Sequence, residues 1–278
     1  MEMKKYLIFF FALLITITAA IYQRLTGPTH PKRISYTIDS IEYKSKLIRS
    51  GESDRDTKIT LNLPINATAT LYYKKYKVDE DFIALPFMAI DQNKQEVYLP
   101  KMPAAAKLEY YIEILDGAET KHFFKENPII IRYKDPVPAW VLIPHILIMF
   151  LAMLFSNLTG LQAAFNMPSF KRNITISLAL LFFGGLILGP IVQKFAFGAY
   201  WTGFPFGYDL TDNKTLIAFA TWLIAYLINR KNDRPAIAMF AAIVTIIVFS
   251  IPHSVWGSEL DYESGKVVTG FINSLILF

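Results

Sequence analysis

The residues able to do chemistry in this chain gather in two short stretches. They are Phe195–Thr215 (FAFGAYWTGFPFGYDLTDNKT) and Pro252–Gly265 (PHSVWGSELDYESG). The first ends in Asp209, Asp212, Asn213 and Lys214; the second carries His253, Glu259, Asp261 and Glu263. His145 lies about two helical turns inside another apolar run and is expected on the same side. Carboxylates converging with an imidazole would suit a divalent cation bound through oxygen and nitrogen. They would equally suit a proton-handling pair. Two histidines on one side also leave b-type haem open, so the residues alone specify no cofactor. The chain has no cysteine, which excludes disulfides, thiolate metal sites and covalent c-type haem attachment. The spacing forms no HExxH, EF-hand, phosphate-cradling glycine loop or GxSxG elbow.

The same residues have a structural account. Asp209 or Thr211 can cap a helix, and Asp212 would then stand in its first turn, favourably against the helix dipole. If that helix crosses a membrane, Asp212 and Asn213 lie at the hydrocarbon edge and need partners, for which Lys214 and His253 are candidates. The aromatics Phe195, Phe197, Tyr200, Trp201, Phe204, Phe206 and Tyr208 read first as an interfacial belt, with Trp140 and Trp256 at the same level. A lid or wall for a hydrophobic ligand is the alternative.

The elements that must hold these residues are mostly apolar. Hydrophobic residues make up 53% of the 278 positions and charged residues only 18%, too apolar for an ordinary water-soluble domain. Runs of membrane-crossing length are expected within the first 22 residues, then near Val137–Phe155, Ile174–Val192, Leu216–Ile228 and Ala236–Ile251. The net charge is +5, and its basic clusters stand beside the ends of apolar runs: Lys4/Lys5, Lys171/Arg172 and Arg230/Lys231/Arg234. That pattern is a topology signal and argues against a nucleic-acid surface. It places the Ser156–Asn173 loop and the Asn229–Arg234 turn in the cytoplasm. The region after the first run, both chemical stretches and the C-terminus then lie outside.

Between Ile34 and Tyr133 the pattern changes to alternation of apolar and polar residues. Expected strands are Ile34–Tyr43, Lys58–Leu63, Thr68–Lys77, Phe82–Ile90, Lys107–Leu115, Thr120–Phe124 and Ile129–Tyr133, divided by turn-forming clusters. Short strands at this density predict an antiparallel sandwich. Leu99–Gly117 (LPKMPAAAKLEYYIEILDG) resembles the late strand of fibronectin-III and immunoglobulin-like extracytoplasmic domains. The resemblance implies a fold, with Tyr110 or Tyr111 making a corner hydrogen bond, and no activity.

The expected fold is therefore an α-helical membrane bundle of four to five transmembrane helices with an inserted all-β, immunoglobulin-like sandwich. Residues 1–25 form a signal anchor or signal peptide, 32–135 the sandwich, 137–265 the bundle with its outer-face loops, and 266–278 an apolar interfacial tail. The leading functional expectation is a non-enzymatic accessory or assembly subunit of a cytoplasmic membrane, surrounded by the lipid bilayer. Its β domain would dock a protein partner outside. A membrane enzyme or cofactor protein using an outer-face acidic/His site, and a cation or proton transport component, are the alternatives.

Overall fold

The computed structural model describes residues 2–117, 119–253 and 257–269. The chain divides into two compact units. One comprises Val137–Ser258 and the N-terminal stretch up to Pro28; the other comprises Thr29–Pro136 and Glu259–Val268. The segment beyond Ser258, expected to be an outer-face loop of the bundle, thus folds largely with the strands.

The β unit starts with β1 (Lys32–Ile38) and β2 (Ile41–Leu47), an antiparallel hairpin. Ile34–Tyr43 was expected to run as one strand. It is broken at Asp39 and Ser40, whose φ values of 48° and 63° form a two-residue reversal. There follow β3 (Ser50–Glu52), β4 (Thr57–Leu61), β5 (Thr68–Lys75), β6 (Ile83–Pro86), β7 (Met88–Asp91), β8 (Lys94–Leu99), β9 (Lys107–Asp116), β10 (Glu119–Phe123) and β11 (Ile129–Lys134). One sheet has the order β3-β11-β9-β5-β6, with β10 also paired to β9; a second has the order β4-β8-β7. All of these pairings are antiparallel except β3 with β11.

Two further expectations change here. Phe82–Ile90 is two strands in different sheets, divided at Pro86-Phe87, where proline removes a ladder donor. Lys94–Leu99, outside every expected strand, is the central strand of its sheet. Gln95, Glu96 and Val97 are all buried there, so the period-two signal is missing. The core combines alternate residues of both sheets and the first hairpin, including Ile38, Leu47, Ile59, Leu71, Leu99, Tyr110, Ile112, Ile131 and Tyr133. Tyr110 Oη donates to the Ile48 carbonyl at 2.7 Å. The bond reaches a segment distant in sequence within the unit, and Tyr111 stacks on Tyr72 at 4.8 Å.

The other unit is helical: α1 (Glu2–Thr26), α2 (Ala139–Ala164), α3 (Phe170–Leu180), α4 (Gly189–Phe197), α5 (Leu210–Lys231) and α6 (Pro235–Ser250). A π-helical run, Leu181–Leu188, joins α3 to α4, so Phe170–Phe197 is one continuous helical stretch of 28 residues. Among the described residues, three helical segments are long and apolar enough to cross a membrane: Met3–Thr26, Ala139–Ala164 and Phe170–Phe197. The apolar α6 is shorter, and α5 carries Asp212, Lys214, Arg230 and Lys231 at its ends. Ser156–Ala164, expected to be loop, is the last part of α2.

The packed faces of these helices are lined by small residues. Ala152, Ala163, Ala218, Ala225, Ala238, Ala241 and Ala242 are buried, as are Ser156, Thr159, Ser177 and Thr245. An added Cβ at Gly160 would come within 2.5 Å of Ala242 Cβ, so α2 and α6 approach closely only because that position is glycine. Buried polar groups are bonded between helices: Trp222 Nε1 donates to Thr245 Oγ1 at 2.8 Å, and Asn157 Nδ2 to Thr16 Oγ1 at 2.9 Å.

Candidate functional site

The carboxylates at the head of α5 hold the preceding loop in place. Asp212 is buried, and its Oδ2 accepts from the backbone N–H of Thr202 at 2.6 Å and of Gly203 at 3.0 Å. It also accepts from Thr202 Oγ1 at 3.2 Å, and that hydroxyl in turn accepts from Gln193 Nε2 at 2.6 Å. Asn213 Oδ1 takes the Phe204 N–H at 2.7 Å. This close approach requires Gly203: a Cβ there would stand 2.6 Å from Asp212 Cβ and 2.9 Å from Asn213 Oδ1. Asp209 is the N-cap of α5, as capping preference suggests. Its Oδ1 accepts from Thr211 N–H at 2.8 Å, while Oδ2 accepts from the N–H and hydroxyl of Ser258, both at 3.1 Å.

Lys214 and His253 were expected to partner Asp212, and the structure corrects this for the lysine. Lys214, 1% exposed, donates to the Ile251 carbonyl at 2.7 Å. Ile251 precedes Pro252, takes an extended backbone (ψ 121°) and ends α6, leaving helix carbonyls without intrahelical partners. From α1, Gln23 Nε2 donates to the Phe249 carbonyl at 2.6 Å. An ammonium and an amide thus terminate α6, and the cation faces the negative end of its dipole.

His145 is half-buried one residue after Pro144, and its Nδ1 lies 2.9 Å from the Gly184 carbonyl. A carbonyl can only accept, so Nδ1 carries the proton. Gly184 belongs to the π-helical run and also accepts the Gly189 N–H, a bond of i to i+5 type. His253 is exposed and lies near enough to Lys214 and His145 for electrostatic interaction. Asp209, Asp212, Asn213, Lys214, His145 and His253 therefore belong to one unit.

Glu259 and Asp261 do not join them; they are held within the β unit. Glu259 is 6% exposed and bonds Lys107 Nζ at 2.6 Å and Lys77 Nζ at 3.1 Å. Burial raises its pKa, but the two ammonium groups outweigh it and hold the carboxyl below its ordinary value. β12 (Ser258–Leu260) pairs with β13 (Val267–Thr269). Asp261 organises the turn between them by accepting from Glu263 N–H at 3.1 Å and Ser264 Oγ at 2.6 Å. Leu260 N–H bonds the Ala105 carbonyl at 3.0 Å. Val267–Thr269 is therefore strand where an interfacial tail was expected; the remainder of that tail, and Trp256, lie outside the described residues.

Among the described residues, no three His, Asp or Glu side chains lie together as a metal-binding group. The aromatic loop presents Tyr200, Phe204, Phe206 and Tyr208 outward, and Trp140 meets Phe195 edge-on at 6.2 Å. Sequence reasoning missed Gln23, Gln193, Thr202 and Ser258. Gln23 and Gln193 could have been flagged as lone amides at the ends of apolar runs; Thr202 and Ser258 carry no such mark. No protein-family model matches the chain, and no curated protein matches it in sequence.

Proposed function

We propose that this is a non-enzymatic accessory or assembly subunit of a cytoplasmic membrane, and that its β unit docks a protein partner outside. The observation that carries this reading is strand β7. It is the terminal strand of the β4-β8-β7 sheet, and all four of its residues are exposed, with Met88 at 60% and Ile90 at 57%. An apolar edge with a free ladder side favours pairing with another chain. Ile65 is exposed as well, and its N–H bonds the Gln92 carbonyl just beyond β7, which widens the apolar area.

The carboxylates at the head of α5 support the same reading. Each side chain that could act on a substrate there already bonds backbone groups that need it. The β unit is immunoglobulin-like in this proposal: two sheets share one core, and a short edge strand runs parallel to the last strand. The bundle would use α1, α2, the Phe170–Phe197 stretch, α5 and α6 as five spans. The basic ends at Lys4/Lys5, Lys171/Arg172 and Arg230/Lys231 would then face the cytoplasm.

The test is site-specific photo-crosslinking in native membranes. A crosslinker at Ile90 should give one discrete heteromeric band, lost with Met88→Lys, while the same group at Glu42 should give none. Equal labelling from both positions, or none from Ile90, would reject the docking edge. Reporter fusions at Lys231 and Ser258 should fall on opposite sides of the membrane.

A further inference from the structure

The first hairpin of the β unit opposes like charges and supplies nothing to balance them. Its exposed face is made by Arg33, Ser35 and Thr37 of β1, which stand directly opposite Lys46, Lys44 and Glu42 of β2. Like charges set opposite each other across two strands are destabilising. The unit also opposes Arg132 to Lys107, and there the buried Glu259 answers Lys107 at 2.6 Å. On the hairpin, Glu42 is 3.1 Å from Lys44, and among the described residues Arg33 and Lys46 form no ion pair. A groove of about 580 Å³ runs along this face, lined by Arg33, Ile34, Ser35, Lys44, Ser45 and Lys46. Its size falls in the range of small-molecule sites. Ile34 and Ser45 are buried, so the accessible lining is three cations and the Ser35 hydroxyl, with no acid among them.

We propose that this face binds the phosphate of an anionic phospholipid headgroup, held between Arg33 and Lys46 with Ser35 donating beside them. A phosphate offers oxygens to both cations at once, and the planar guanidinium can bind it through two parallel bonds. The anion then does at Arg33 and Lys46 what Glu259 does at Lys107. The position of the cations singles out a lipid. They stand at the open end of the hairpin, while Asp39 and Glu42 lie at or near its reversal. β1 begins six residues after Thr26, where the apolar α1 ends, and six residues reach at most about 20 Å. Basic residues beside a span are attracted to anionic headgroups. The groove also lacks the apolar pocket that anchors a protein side chain. The inference rests on α1 crossing the bilayer, as proposed above, and is independent of the β7 edge.

The test uses the full-length protein in lipid nanodiscs. The chain has no cysteine, so Thr37→Cys places a single fluorescent label on the same face without touching the groove lining. Quenching by lipids that carry a nitroxide on the headgroup reports contact. It should be strong in discs of equimolar phosphatidylglycerol and phosphatidylcholine and weak in phosphatidylcholine alone. The ratio of quenched to unquenched label should fall about 5-fold with Arg33→Gln or Lys46→Gln and about 30-fold with both. Lys101→Gln/Lys125→Gln removes equal charge from exposed positions of the same unit and should leave the ratio unchanged, as should Met88→Lys at the β7 edge. Arg33 and Lys46 are exposed, so folding should survive, and an unchanged thermal unfolding profile checks it. Equal quenching in the two lipids would overturn the site, and equal losses in both double variants would reduce the effect to general electrostatics and overturn it too. Loss of quenching with millimolar glycerol phosphate would assign the groove to a soluble anion. A discrete protein adduct from a photo-crosslinker at Ser35 would assign it to another chain, and either result rejects the proposal.

Discussion

The two units of this protein bury different proportions of large and small side chains. The largest fully buried residues of the β unit include Tyr110, Tyr133, Leu71 and Leu99, and its sheets close around them. The helical unit hides many alanine, serine and threonine side chains, beside larger ones such as Trp222, Phe170, Ile174 and Leu181. It turns Ile143, Leu147, Phe183, Ile224, Phe240 and Ile247 outward. In water the first arrangement is stabilising, because burying large apolar surface drives folding. The second would be a solubility failure in water and is the expected order in lipid. There, apolar side chains gain little by moving inward, and close contact between small residues holds helices together. The difference is the one expected between a unit folded in water and one folded in lipid.

That contrast can be broken by opposite substitutions. In the β unit, truncation should do most harm: Leu71→Ala should cost about 2–5 kcal/mol, read as faster limited proteolysis between Thr29 and Pro136. A loss under 1 kcal/mol would mean that this core is loosely packed. Enlargement should instead damage the helical unit. Ala242→Leu, facing Gly160, should cost about 1–3 kcal/mol and lower the melting temperature in detergent, while outward Ile247→Ala should change little. If the outward change were the worse of the two, the lipid-facing assignment would fail.

The polar clamp at the head of α5 should matter less than either core. Asp212→Ala removes the acceptor of two backbone N–H groups and a hydroxyl, at about 1–3 kcal/mol. Asp212→Asn keeps one acceptor oxygen and should lie between that variant and the native protein. Protease sensitivity near Tyr200–Tyr208 provides the readout. Gly203→Ala should resemble Asp212→Ala, since its methyl group would displace the same contact.

The smallest effect should be a pH dependence confined to the β unit. The pKa of Glu259 is lower in the folded state than in the unfolded chain. Its contribution to stability is therefore present above the ordinary glutamate pKa and lost as pH falls through the folded value. The protection factor of the Leu260 amide, which removes the intrinsic pH dependence of exchange, should fall on acidification, and Glu259→Gln should remove that change. An unchanged acid response in the variant would show that other carboxylates dominate.

Much of the architecture was legible in the residues because it depends on near neighbours. Apolar runs of span length announced α1, α2 and Phe170–Phe197, and alternation announced β4, β5, β9 and β11. Reading failed where burial abolished the period, as in β8, or where a local reversal lacked the usual glycine, as at Asp39-Ser40. The candidate site was legible in part. Asp209 or Thr211 was expected to cap because capping is a local preference, and Asp212 was expected to need a partner because of its depth. Its actual partners, Thr202 and Gly203, lie in a loop whose path no periodicity encodes.

The sequence by itself determined that part of this chain is long and apolar enough for a membrane and part is alternating strand, since run length and period are local properties. Only the tertiary structure decided which polar group answers which. Lys214 meets Ile251, Gln23 meets Phe249, and Glu259 meets Lys107, the last two across more than half of the chain. A buried charge needs a partner wherever the chain brings one, and that choice is made by packing.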